Sequence, residues 1–200
     1  PEIIVKYGDT IIEDYKVTGN SNTNAGEYIV TIEAEGNFKG TITEKYTINP
    51  YNINDCEIEL SNSSYIYSGS EFKPDVTVKL NNGLIITDFK VEYKNNINVG
   101  TAVVVISGIG NISGEVSKNF EILPKNITDE EIIVKGISNK IYTGAEIKQY
   151  PNISYNNVSL VENTDFEIEY IDNININSAT NEPRVIIKGI NNYSGTITQT

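Results

Sequence analysis

The 200-residue chain carries a net charge of −12 and a pI near 4.4, and it contains no His, Met or Trp, one Cys and one Arg. Such an acidic balance argues against nucleic acid or an anionic membrane as partner, because neutralising phosphate needs clustered Lys and Arg. Without His the usual general base and the commonest metal ligand are missing, and a lone Cys makes neither an internal disulfide nor a thiolate zinc site. The expectation is therefore a non-enzymatic protein that uses no cofactor or metal.

In chain order, the first strong signal is Gly26 followed by an apolar run with Val30 and Ile32 on one parity, then the loop Gly36-Asn37-Phe38-Lys39-Gly40, then Tyr46 and Pro50. All of these recur 74 residues later as Gly100, Val104, Ile106, Gly110-Asn111-Ile112-Ser113-Gly114, Phe120 and Pro124. A third occurrence places Val185 and Ile187 before Asn191-Asn192-Tyr193-Ser194-Gly195. Repetition at a fixed period is the mark of an array of one small unit. The register gives three copies: residues 1–50, lacking the first strands and starting where Pro1 equals Pro74; residues 51–124, complete; and residues 125–200, stopping before a Phe-x-Ile ending. This is the pattern of a piece of a longer array. The third copy holds two short insertions, around Gln149 to Pro151 and between Asn173 and Pro183.

Within each copy the periodicity is that of β-strands. Phe89, Val91 and Tyr93 alternate with Lys90 and Glu92, and Phe166, Ile168 and Tyr170 repeat the pattern, so each trio lines one sheet face. Further strands are expected near Glu57 to Leu60, Asp75 to Leu80, Thr101 to Ile106 and Glu115 to Ile122. Asn-Asn-Gly at 81–83 and the Gly-Asn-x-x-Gly loops supply residues that accept positive φ. Gly36, Gly40, Gly110, Gly114 and Gly195 are accordingly read as structural turns, as are Asp14, Asp88 and Asp165, which recur just before the aromatic strand. Cys56 shares parity with Ile58 and Leu60 and reads as a half-buried small hydrophobe. The fold class is all-β: tandem small antiparallel β-sandwich modules of immunoglobulin type, with a β-grasp-like sheet as the alternative.

The order Tyr67-x-Gly69, Pro74-x-Val76-x-Val78, Asp88-Phe89-x-Val91-x-Tyr93-x-Asn95-Asn96, Asn98-x-Gly100-Thr101-Ala102 and Gly108-x-Gly110-Asn111-x-x-Gly114 resembles the tandem Ig-like or MBG-type repeats of clostridial and other Firmicute cell-surface proteins. The resemblance covers essentially the whole chain. It implies a bacterial, extracellular (cell-surface or secreted) location and a spacer or stalk role, with an adhesin as one version. Partners would be neighbouring domains of the same polypeptide and a host or cell-wall glycan or protein. The alternative is a glycan- or mucin-binding accessory module of a carbohydrate-active enzyme.

The copies differ where a specific function could reside. Tyr150 and Tyr155 fall in the inserted part of copy three and Tyr193 in its altered loop, which makes these three rings the candidate ligand-binding residues. Asn177 stands near the expected Gly100 equivalent and Asn191 replaces a loop glycine, so the third copy departs from the pattern and its hairpin geometry is left open. The oxygen-bearing groups Asn54, Asp55, Glu57 and Asp129, Glu130, Glu131 beside the junctions read as a solvated, largely acidic face, with calcium as the alternative. Lys118 shares strand parity with Val116, Phe120 and Ile122, the requirement for an isopeptide cross-link, but its counterparts Glu44 and Gln199 mark that end of the strand as wet. The recurring Ile-x-Pro-x-Asn-Ile linkers at 48–53 and 122–127 leave no flexible tether, so stiffly coupled modules are expected. Because copy one lacks its first strands, an open sheet edge near Glu2 to Lys6 is expected to invite pairing between chains.

Overall fold

A computed structural model describes residues 3–178, 180 and 182–200. The equivalence of Pro1 with Pro74, and Glu2 at the start of the expected open edge, lie outside the described residues. Of that edge, Val5 and Lys6 belong to strand Val5–Tyr7, which pairs antiparallel with Thr10–Ile12. The fold is all-β, built from several small sheets; one 3-10 turn, Ile53–Asp55, is the helical element among the described residues.

Two compact units divide the chain: residues 1–59, 76–92 and 105–117 form one, and residues 60–75, 93–104 and 118–200 the other. The division crosses the strands Phe89–Lys94, Gly100–Gly108 and Glu115–Leu123 of copy two.

In the first unit, Tyr15–Thr18, Gly26–Ala34 and Thr41–Ile48 make an antiparallel sheet in which Val17 faces Ile32 and Tyr28 faces Tyr46. Strand Val76–Lys79 turns through Asn81-Asn82-Gly83 into Ile85–Ile86, with Gly83 at φ 82° and the Leu80 N–H donating to the Leu84 carbonyl at 2.9 Å. Positive φ is what this two-strand connection demands, and glycine meets it without a Cβ penalty.

The second unit contains the matching sheet of copy three, Phe166–Ile171 with Arg184–Gly189 and Thr196–Gln199, where Ile168 faces Ile187 and Ile187 faces Ile197. Ile132–Lys135, Asn152–Tyr155 and Val158–Ser159 form another sheet, closed by Asn156 and Asn157 at φ 49° and 63°. The core of this unit gathers Ile127, Ile153, Phe166, Ile187 and Tyr193.

The first insertion of copy three leaves the local bonding intact. In copy two Asn96 donates its side-chain amide to the Phe72 carbonyl at 2.9 Å, and in copy three Asn173 does the same to Ile147 at 3.1 Å. The Tyr93 hydroxyl donates to the Pro74 carbonyl at 2.6 Å, and that of Tyr170 to the Gln149 carbonyl.

Val30, Val104, Ile106, Val185 and Ile187 are buried on the inward parity and Ile32 is half-buried, whereas on the opposite parity Ile29 is exposed, Val103 and Arg184 are half-buried and Val105 is buried. Lys118 is exposed, in keeping with its polar counterparts Glu44 and Gln199, and Ser117 and Asn119 beside it are exposed as well. Cys56 is half-buried, and burial, followed by the charge of Asp55, pushes its thiol above the ordinary value.

The Gly-Asn-x-x-Gly loops close identically. The N–H groups of Ala34, Gly108 and Gly189 donate to the carbonyls of Gly40, Gly114 and Gly195 at 2.9, 2.9 and 3.0 Å. Asn191, where the sequence left the hairpin geometry open, takes φ 56°, close to the 63° of Gly36 and 61° of Gly110, and its amide donates to the Thr164 carbonyl at 2.8 Å. Asparagine tolerates the left-handed region, so the substitution preserves the turn. A Cβ on the last loop glycine would meet the Asn126 Oδ1 at 2.1 Å in copy three and the Asn52 Oδ1 at 2.8 Å in copy two. Gly195→Ala is therefore expected to cost more than ~1 kcal/mol, from the clash together with φ 83°, while Asn191→Gly stays near neutral; equilibrium urea unfolding of the two variants reads the difference.

Candidate functional site

The site that recurs in this chain is the junction between copies. Its first component is the linker. After Pro50, Tyr51–Asn52 runs parallel to Ile112–Ser113, and after Pro124, Lys125–Asn126 runs parallel to Tyr193–Ser194. The linker asparagine folds onto its own backbone: Asn52 Oδ1 accepts from the Asn54 N–H at 3.0 Å, and Asn126 Oδ1 from the Thr128 N–H at 3.0 Å. This asparagine side chain occupies the space over the last loop glycine, which explains why both loops carry glycine there.

The second component is the loop asparagine, which bonds in two directions. Its carbonyl accepts the linker N–H, Tyr51 to Asn111 at 2.8 Å and Lys125 to Asn192 at 3.0 Å. Its side chain reaches the preceding copy: Asn111 Oδ1 accepts the Ala25 N–H at 2.7 Å, and Asn192 Oδ1 accepts the Val99 N–H at 2.9 Å. The amide end completes the clasp, with Asn111 Nδ2 donating to Asn24 Oδ1 and Asn192 Nδ2 to Asn98 Oδ1, both at 3.2 Å. Asn111 Nδ2 also lies 3.3 Å from Asp88 Oδ2. A single asparagine thus ties the last loop of one copy, its own linker and a hairpin tip of the copy before.

The third component is packing. The residue after the loop asparagine is buried under the linker in both junctions, Ile112 at 5% exposure and Tyr193 at 7%, whereas its counterpart Phe38 in copy one is 37% exposed. The Tyr193 ring meets Tyr67 of copy two edge-on at 5.5 Å and Tyr155 at 6.4 Å. Lys125 lies beside this cluster, 5.3 Å from the centre of the Tyr155 ring, and is ion-paired with Asp129 at 2.9 Å and with Glu131. The hydrogen bonds it donates to Glu131 and then Asp129 hold its ammonium well above the ordinary lysine value. Lys125, rather than Lys118, is the buried lysine, and as a paired cation it is no nucleophile. Two of the three carboxylates read as a calcium alternative at this junction are committed to it. Among the described residues no group of three or more Asp, Glu or Cys side chains is placed to hold a metal ion.

Two of the three candidate ligand-binding tyrosines are corrected. Tyr155 takes the inward parity of Asn152–Tyr155, beside buried Ile153, and Tyr193 lies under the linker, so neither offers a ring face. Tyr150 remains exposed, at 71%. The recurring aspartates act through their main chain: the carbonyls of Asp14, Asp88 and Asp165 accept the N–H groups of Glu35, Ile109 and Ile190 at 2.9, 2.9 and 3.0 Å. Asp165 Oδ2 additionally accepts the Val161 N–H at 2.8 Å. The clasp partners Asn24 and Asn98 were visible only as identical residues two positions before a recurring glycine; Lys125 had no signal, since copy two has Tyr51 in its place. Comparison with protein-family models, with curated proteins and with solved structures returned no match.

Two outcomes follow from the clasp. Asn192→Ala leaves the half-buried Val99 N–H without its acceptor, at a cost of ~1–3 kcal/mol, and hydrogen exchange at Val99 is expected to accelerate while amides in Val5–Tyr7 stay unchanged. Burial, followed by Tyr67, Asp165 and Tyr155, pushes the Tyr193 hydroxyl up to about 12. Since the folded value exceeds the unfolded one of about 10, the neutral phenol stabilises fully below pH ~10 and this contribution disappears as pH rises toward 12. Ultraviolet tyrosinate titration is expected to lose its latest step in Tyr193→Phe.

Proposed function

We propose that this chain is a run of coupled Ig-like spacer repeats, a stalk segment of a bacterial cell-surface or secreted protein, without enzymatic activity and with neighbouring domains of the same polypeptide as its partners. The observation that supports this reading is the junction itself. The same linker pairing and asparagine clasp occur at both, which is the economy expected where the repeated feature is the connection between copies. Across each junction the backbone of one copy is completed by the next, so that copies are coupled mechanically instead of strung on a tether. The adhesive, mucin- or glycan-binding alternative rests on Tyr150, the candidate ring that stays exposed.

Nuclear relaxation distinguishes the readings. The spacer reading expects one rotational correlation time for amides on both sides of each junction, together with no retention of the chain on a glycan and mucin array. Independent tumbling across a junction overturns the coupled spacer. Array binding that disappears in Tyr150→Ala establishes the glycan reading instead.

A further inference from the structure

The turn that joins Val76–Lys79 to Ile85–Ile86 holds the chain's one Asn-Gly step, Asn82-Gly83; every other asparagine is followed by a residue that carries a side chain. Residues 81–84 are all exposed. The turn needs the glycine for its backbone, φ 82°, and the same glycine leaves its own nitrogen with no Cβ beside it. A Cβ built there would meet nothing within 4 Å, so the space around that nitrogen is open.

Three hydrogen bonds set the local geometry. The Leu80 N–H donates to the Leu84 carbonyl at 2.9 Å and the Gly83 N–H to the Leu80 carbonyl at 2.8 Å. The Leu84 N–H donates to Asn82 Oδ1 at 3.0 Å. This last bond folds the Asn82 side chain forward along the Gly83 peptide and polarises its Cγ, the carbon that the Gly83 nitrogen can reach. The corresponding turns of the other copies lack the combination. Tyr7-Gly8-Asp9-Thr10 contains no asparagine, and Asn156-Asn157 is followed by Val158, whose branched Cβ crowds its nitrogen.

We propose that Asn82 is a self-modification site, converted to aspartate and isoaspartate with water as the sole co-reactant, and that the change is confined to the middle copy. The Gly83 nitrogen gives up its proton and bonds to the Asn82 Cγ, while the Cγ–Nδ2 bond breaks and the departing nitrogen takes up a proton to leave as ammonia. A succinimide ring remains. Water opens it at the side-chain carbonyl to give aspartate, or at the main-chain carbonyl to give isoaspartate, in which the chain runs through Cβ and Cγ. The balance is one water consumed and one ammonia released. Either product adds a negative charge at the turn, and isoaspartate also lengthens the main chain between Lys79 and Ile85, next to the fully buried Val78. The bond from the Gly83 N–H to Leu80 must open before the nitrogen can attack, so the folded turn slows the reaction without preventing it.

The test incubates the intact chain and a free peptide with the sequence of residues 78–87 side by side in neutral buffer, then maps the products by proteolysis, mass spectrometry and ion-exchange separation of the aspartyl and isoaspartyl forms. Conversion at Asn82 is expected in both, ~2–10-fold slower in the folded chain, the weight of one hydrogen bond. In Asn82→Gln the product is expected to disappear. Asn82 left intact in the folded chain after the peptide has gone to completion overturns the proposal. So does conversion of Asn156 or Asn157 as fast as that of Asn82.

Discussion

The junctions of this chain depend on one hydrogen bond: the loop asparagine of each following copy accepts a backbone N–H from the hairpin tip of the copy before it, Ala25 to Asn111 and Val99 to Asn192. A hairpin tip must leave some backbone donors without ladder partners, and a half-buried N–H with none is costly. The asparagine side chain resolves this with an acceptor and a donor at once, so it also holds the Asn24 or Asn98 side chain in place. Water could satisfy one such group but would not fix two copies together.

Several other sequence features become necessary once that bond is required. For the asparagine to reach back, its loop must lie against its own linker, and the linker asparagine then occupies the space that a side chain at Gly114 or Gly195 would need. The residue following the clasp pairs with the same linker through its main chain, and both Ile112 and Tyr193 are buried there. The first loop position needs a left-handed backbone and little else, so glycine in two copies and asparagine in the third are equivalent.

The strands were readable because period-2 patterning is a local property: Phe89, Val91 and Tyr93, or Val104 and Ile106, declare their face without reference to any neighbour. The copies and the turn glycines were readable for a similar reason, recurrence. What alternation could not settle was burial imposed by a distant segment. Tyr193 reads as an exposed loop aromatic because the Tyr67 and Tyr155 rings that pack on it lie far away in sequence. Tyr155 looked like part of an insertion, yet it stands where copy two places the fully buried Val78. Lys118 is exposed where its polar counterparts Glu44 and Gln199 mark the strand end as wet, while Lys125 is buried by an aromatic ring and two carboxylates that no strand pattern predicts. The clasp asparagines were visible as repeated residues, but their role exists only between copies.

The parallel pairings have a mechanical meaning. Tyr51–Asn52 opens copy two and Ile112–Ser113 lies near its end, and the final strand at 121–123 runs beside the early strand Ser64–Ile66. When the two ends of a copy are pulled apart, parallel neighbours of this kind slide along each other, so their hydrogen bonds share the load and must break together. Antiparallel hairpin ends would peel one bond at a time. The resistance of copy two to tension therefore rests on two short ladders, whose Ile112 and Ile122 are also buried in its core.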